Sequence, residues 1–362
     1  MARNRMIPYR GFNVQGPSDK NPNYQPNGIH NYNIKDVAKQ AGMLNADTIR
    51  CGMNWAEYEP SPGQYVSSEI DKIKDIVTEG RKGNSNLKVM LQVGNVPWWV
   101  PGRVKDPDRP GSANYTTTTE GCHAYGSFCV KVLEELGSYA VAIEHSNEPN
   151  GLASADGTDT PPIYYARMAA YAAYWIDFCL GSGYYALVGS LTLSGQWNGL
   201  NWQQYLGQVM TEIYRLCRQF YPIDTHPVDF GRLIHSIRIS FHPYPYLPAY
   251  DFGAALSYVD SKVSWLHSNY PDHKIWITEC GGSSAHMTPA GQTNFLVGMC
   301  YQVCGTKPRV EGLIFWPTTD AEGYAWNSTS GFYKFGVYDE DGTTEKQAAT
   351  FLKTIFADSD WT

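Results

Sequence analysis

The sequence predicts an α/β fold, a (β/α)8 TIM barrel with long βα loops, on three observations. Eight short apolar or β-branched runs occur along the chain. Each is followed by a loop rich in Gly, Pro, Asn and aromatics and then by an amphipathic stretch of helical period. The ends of the runs carry the polar chemistry of the chain instead of ordinary turn residues. A doubly wound sheet would usually carry a Gly-rich phosphate turn after its first strand, and none follows Val14. The 362 residues, 43% of them hydrophobic, suffice for the core of one large domain or two small ones. No repeat, low-complexity tract or linker divides them, so residues 1–362 are read as one domain.

In chain order, strands are expected at 7–14, 46–53, 87–95, 139–146, 184–191, 234–241, 273–279 and 309–316. The matching helices are expected at 33–44, 67–81, 122–137, 161–181, 201–219, 252–269, 288–304 and 344–356. In such barrels the site is built from strand ends and loops on the C-terminal face. Those ends read Arg50 and Asn54-Trp55, then Asn95 with Trp98-Trp99, Asn147-Glu148, His242 and Tyr244, Glu279, and Trp316.

Composition removes several function classes. Lys and Arg number 28 against 35 Asp and Glu, a net charge of −7, so no basic stripe offers itself to a nucleic-acid backbone. The apolar runs fall well short of the roughly 18 to 20 residues of a membrane-spanning helix. The N-terminus lacks the apolar core of a signal peptide. A soluble chain is expected, with its compartment open, because a removed signal would leave the same sequence. Eight Cys with no Cys-x-x-Cys pair argue against structural zinc and for buried free thiols. Charged residues are only 17% while aromatics reach 14%, with 26 Tyr and 11 Trp.

Two carboxylates stand out. Residues 140–150 form an apolar strand that Pro149 stops, leaving Glu148 at the barrel mouth behind Asn147. Residues 274–282 form another that delivers Glu279 just before two glycines. Counting units puts Glu148 at strand four and Glu279 at strand seven, across the mouth from each other. Two carboxylates facing over an aromatic-lined cleft are what cleavage of a glycosidic bond needs. One protonates the leaving oxygen and the other meets the developing oxocarbenium ion.

This pattern resembles the superfamily of retaining glycoside hydrolases with (β/α)8 barrels, often called clan A, over nearly the whole chain. The resemblance implies Glu148 as acid/base, Glu279 as nucleophile, and Asn147 as the residue that hydrogen-bonds the sugar 2-hydroxyl. Arg50 resembles the strand-two arginine that steadies the nucleophile; its structural alternative is an ion pair on the barrel floor. His242 and Tyr244 resemble the strand-six pair whose tyrosine touches the nucleophile, a role that Tyr246 could equally fill. Trp316 matches the strand-eight tryptophan under the sugar beside the scissile bond.

Aromatic faces suit sugars because axial C–H groups pack on the ring while equatorial hydroxyls stay free. Trp55, Tyr58, Trp98, Trp99, Trp197, Trp202 and Trp326 all fall in or beside loops of the same face, each open to either sugar contact or packing, with Trp326 the candidate for a distant subsite. No histidine follows strand three, where Asn95 or a Trp could replace that contact. Residues 54–65 resemble the xylosidase and iduronidase-like branch and also endo-acting, cellulase-like families. The expectation is a retaining O-glycosyl hydrolase acting on an oligo- or polysaccharide without cofactor or metal. A non-catalytic carbohydrate-binding barrel and a transglycosidase are the alternatives; the sugar, the linkage and the oligomeric state stay open.

Overall fold

The computed structural model describes residues 7–14, 34–104, 113–151, 160–193, 197–244, 251–316, 337–338 and 344–357. Eight strands close a barrel: β1 (Tyr9–Asn13), β2 (Thr48–Asn54), β3 (Lys88–Gly94), β4 (Ala140–His145), β5 (Tyr185–Thr192), β6 (Ile237–His242), β7 (Lys274–Cys280) and β8 (Val310–Phe315). Each strand pairs in parallel with its neighbours in sequence, and β1 closes the ring between β2 and β8. Strands covered on both faces read as continuous apolar runs, which is why they stand out in the sequence.

The helices pack outside. In the helix Ser67–Arg81, Ile70, Ile73, Ile76 and Val77 recur at helical spacing and are all buried. Thr118 caps the helix Thr119–Leu136 by accepting from the Gly121 amide, so that helix starts three residues before the expected 122. Gly11 marks where β1 and β2 approach most closely, since a Cβ there would lie 1.5 Å from the Thr48 carbonyl oxygen.

Two expectations need correction. The apolar run at 234–241 is a strand only from Ile237; Leu233 and Ile234 are the buried face of an additional helix, Pro227–Ser236, with Pro227 in its first turn. Short apolar runs do not distinguish a strand from a helix face. The stretch expected as a helix at 288–304 starts at Ser284, is broken at Thr288 (φ 64°) before Pro289, and ends as a π-helical turn, Met299–Cys304. The loop after β3 contains a small antiparallel ribbon, Arg103–Val104 with Tyr115–Thr116. All eight cysteines are free thiols; seven are buried and Cys179 is exposed. Among the described residues no helix is long and apolar enough to cross a membrane.

Inside the barrel, alternate residues form layers. The lower layers are filled by Met90, Ala142, Leu187, Trp276 and Ile314, with Tyr9 stacked 4.7 Å over Trp276. Arg238 pairs with Glu311 and lies 4.1 Å over the Tyr185 ring. This end is plugged, and a cluster of charged side chains collects at the other. Register shifts break the alternation, two of them toward the C-terminal ends of the strands. Leu313 to Phe315 on β8 spans Ile277 to Cys280 on β7, and Val188 to Leu191 on β5 spans Ile239 to Phe241 on β6. Each bulge adds one residue and re-aims the side chain that follows.

Candidate active site

Glu279 lies in the bulge of β7 and is held by three donors, from β1, β2 and the loop after β6. Its Oε1 accepts from Arg50 Nη1 at 2.5 Å and from Asn13 Nδ2 at 3.0 Å. Its Oε2 accepts from the Tyr244 hydroxyl at 3.2 Å. Arg50, the third residue of β2, spreads its fork further: Nε donates to Glu144 at 2.6 Å and Nη2 to the Asn147 oxygen at 2.7 Å. Burial opposes the guanidinium charge, but the Glu144 and Glu279 carboxylates outweigh it and hold the arginine above its usual range. One side chain thus makes a buried ion pair with Glu144 beneath and a grip on Glu279 above.

Glu148 sits just past β4 in a tight reversal where Ser146 and Glu148 both have positive φ, 61° and 45°. Its amide donates to the Ser190 carbonyl of β5 at 3.0 Å. Asn150 fastens the same loop by bonding both the amide (3.1 Å) and the carbonyl (2.8 Å) of Thr192. The Glu148 carboxylate projects upward, with its side chain 31% exposed against 14% for Glu279.

Between them lies the fully buried ring of His242, the last residue of β6. Its Nδ1 is 3.0 Å from Glu148 Oε1 and 3.7 Å from Glu279 Oε2. Burial disfavours the imidazolium, yet the Glu279 and Glu148 carboxylates raise its pKa above the ordinary value, with Arg50 opposing. Ligand atoms of Glu148, His242 and Glu279 lie within 4.8 Å of one another, a spacing a cation could use. Arg50 already balances Glu279, however, and a metal requires neutral imidazole where this site favours the proton. The cluster is compensated from within.

The other expected site residues divide. Trp316, just past β8, is half-buried, and its amide donates at 2.9 Å to the carbonyl of Cys280, the residue after Glu279. Asn54 spends its side-chain oxygen capping the short helix Trp55–Tyr58, accepting from the Ala56 and Glu57 amides. Trp55 is 1% exposed, stacked on Phe128, with its indole N–H on Glu59. Tyr58 and Trp202 are buried as well. Trp55, Tyr58 and Trp202 thus take the packing alternative: a strand-end position does not imply a cleft position when the side chain turns under the following helix. Asn95 has φ 62°, and its carbonyl accepts from Ala56. Trp98 is 73% exposed, with its N–H on the Pro60 carbonyl, and Trp99 donates to the Glu59 carbonyl. Trp197 packs at the edge of the Tyr205 ring. Trp326 and Tyr246 lie outside the described residues.

Asn13, Glu144 and Ser190 join the cluster without having been singled out in the sequence. Asn13 ends the first apolar run and could have been found by the same strand-end rule. Glu144 is a charge inside an otherwise apolar run, which at a buried position demands a partner. Ser190 carries no comparable mark.

No protein-family model matches the chain, and comparison with curated proteins gives no match. Solved structures do resemble it. A family 39 glycoside hydrolase from the gut symbiont Bacteroides cellulosilyticus WH2 is 16% identical, with a TM-score of 0.59 over 98% of this chain and 64% of its own. The exo-β-1,4-mannosidase Op5Man5 from Opitutaceae bacterium strain TAV5 is 14% identical, with a TM-score of 0.59 over 98% of this chain and 59% of its own. An endo-β-1,4-glucanase from Xanthomonas axonopodis pv. citri is 16% identical, with a TM-score of 0.58 over 96% and 98%. The chain thus spans somewhat less than two thirds of the length of the first two and nearly all of the third. At these identities the likeness is one of architecture, and it agrees with the closed barrel: this chain has the (β/α)8 fold.

Proposed function

We propose that the chain is a retaining O-glycosyl hydrolase acting on an oligo- or polysaccharide. The observation that carries the reading is the approach of one oxygen each of Glu148 and Glu279 to within 4.8 Å. An inverting enzyme needs its carboxyl groups roughly 6.5 to 9.5 Å apart to admit a water, whereas a retaining one works at about 5 to 5.5 Å. Glu279, ionised and aligned by Arg50, Asn13 and Tyr244, attacks the anomeric carbon while Glu148 gives its proton to the leaving oxygen. The glycosyl ester forms on Glu279 as the glycosidic C–O bond breaks. Glu148 then takes a proton from water, which displaces the ester and releases the sugar with its starting configuration. The structural neighbours named for β-1,4 linkages support a β-linked glycan as the substrate class.

The test is a screen of aryl glycosides and polysaccharides, with the first-formed product followed by NMR. Retention is expected, and a first-formed product of inverted configuration would sink the reading. Sugar polymers lengthened without net hydrolysis would favour transglycosylation instead. Binding without turnover would favour a lectin-like barrel.

Trp316 is read as the platform beneath the sugar, supported by its bond to the residue after Glu279. Trp316→Ala should lower kcat/KM on the best substrate by about 2 to 4 kcal/mol, with part of the loss in kcat, because the ring positions the sugar as well as binding it. Wild-type kcat/KM in a variant folded by circular dichroism would make Trp316 structural.

A further inference from the structure

The bulge in β5 lies at Gly189 and Ser190, both with positive φ (124° and 47°). It is tied to the strands on either side. The Gly189 amide donates to the Tyr165 hydroxyl at 2.8 Å, and that hydroxyl donates to the His145 carbonyl at 2.9 Å. The Ser190 amide donates to Ser240 Oγ at 2.8 Å. Serine is held here in a conformation that glycine would adopt more readily. What the serine adds is its hydroxyl, which lies 3.2 Å from His242 Nε2. Its carbonyl accepts the Glu148 amide at 3.0 Å.

We propose that Ser190 is a positioning residue for Glu148: from the β5 bulge it grips the Glu148 backbone with its carbonyl and, through His242, the Glu148 carboxyl with its hydroxyl. The inference rests on the reading of Glu148 as the acid/base.

The physical reason lies in what a hydroxyl can do next to a buried imidazole. It accepts from Nε2–H when the ring is cationic and donates to Nε2 when the ring is neutral with its proton on Nδ1. In both states Nδ1–H stays aimed at Oε1 of Glu148, so that oxygen is an acceptor. The proton that a general acid delivers must then sit on Oε2. The neutral ring protonated on Nε2 can also donate to the hydroxyl, with its Nδ1 lone pair toward Glu148, and it is the two carboxylates beside Nδ1, at 3.0 and 3.7 Å, that favour the states in which Nδ1 carries the proton. The charges around the ring are Glu148 from the loop after β4, Glu279 from β7 and Arg50 from β2. The carboxylates favour the imidazolium and the guanidinium opposes it. Ser190 supplies the neutral acceptor the imidazolium needs on its far side.

The experiment uses the full, ligand-free chain. Ser190→Gly suits φ 47° and retains the amide and the carbonyl while removing the side chain; Ser190→Ala, which removes the hydroxyl alone, is the second variant. The His242 imidazole is titrated by 15N NMR. Loss of the acceptor should lower its midpoint by about one pH unit, a tenfold shift in its proton equilibrium, in both variants. On aryl glycosides, Ser190→Gly should lose about tenfold in kcat/KM with poor leaving groups and less than about threefold with activated ones, which need little protonation. A midpoint within about 0.2 unit of wild type in both variants would overturn the proposal, even in an active, retaining glycosidase. A shifted midpoint in a chain that cleaves no glycoside supports the hold on Glu148 and sinks only the functional reading.

Discussion

Glu279→Gln is expected to lose at least about 10⁴-fold in kcat while the barrel stays intact, because an amide cannot form the glycosyl ester. The site itself explains why the fold should tolerate the change. The amide oxygen can take the place of Oε1 and still accept from Arg50 and Asn13, while the new NH2 donates to the Tyr244 oxygen. Charge and nucleophilicity are lost; the hydrogen-bond count is not. Intact-mass analysis with an activated 2-deoxy-2-fluoro glycoside should show a covalent adduct on wild type and none on the variant. Added azide should give a glycosyl azide of inverted configuration with Glu279→Ala and should not restore the retained product. An adduct on Glu279→Gln, or wild-type turnover in Glu279→Ala without an added nucleophile, would place the nucleophile elsewhere.

How much of this can be read from the sequence depends on whether a feature is local. Glu148 and Glu279 stand out because each ends an apolar run next to a strand-stopping Pro or Gly, and their unit count places them across the mouth. The turn of Glu279 into the barrel is not local. It depends on the extra residue in β7 opposite β8, and a bulge is a property of two strands in register. Ser190 is hidden for the same reason, since only the β5–β6 offset brings it under His242. The placement of Asn54 and Trp55 is hidden in another way. Asn is a strong N-cap, and Asn54 followed by Trp-Ala-Glu-Tyr starts a helical turn that drops the indole into the core. The strand-end rule identifies positions, and the helix that follows decides where their side chains go. Pro227 marks the start of the additional helix, yet Ile234 reads as the start of a strand because three or four residues are too few to show a period.

Arg50 should give the second large effect, on two properties that can be separated. Its side chain is 5% exposed and that of Glu144 is fully buried. Glu144 Oε2 has the arginine as partner, while Oε1 has no hydrogen-bond partner among the described residues. Arg50→Met removes the cation and strands a buried carboxylate, so a loss of about 3 to 5 kcal/mol in unfolding free energy is expected, read from the denaturant midpoint. It also removes a donor from Glu279 and from Asn147, and kcat should fall by about 10²-fold or more as the proposed nucleophile loses its alignment. Lysine is no substitute, because a single ammonium cannot reach three acceptors arranged for a planar fork. The double variant Arg50→Met with Glu144→Gln separates the two roles. Neutralising Glu144 removes the unpaired charge and should return most of the stability, whereas the grip on Glu279 stays lost and activity stays low. Recovery of stability and kcat together would reduce Arg50 to an ion pair on the barrel floor, with Asn13 and Tyr244 sufficient to hold Glu279. Recovery of neither would mean that the planar guanidinium itself, bridging β2, β4 and β7, is what keeps this end of the barrel assembled.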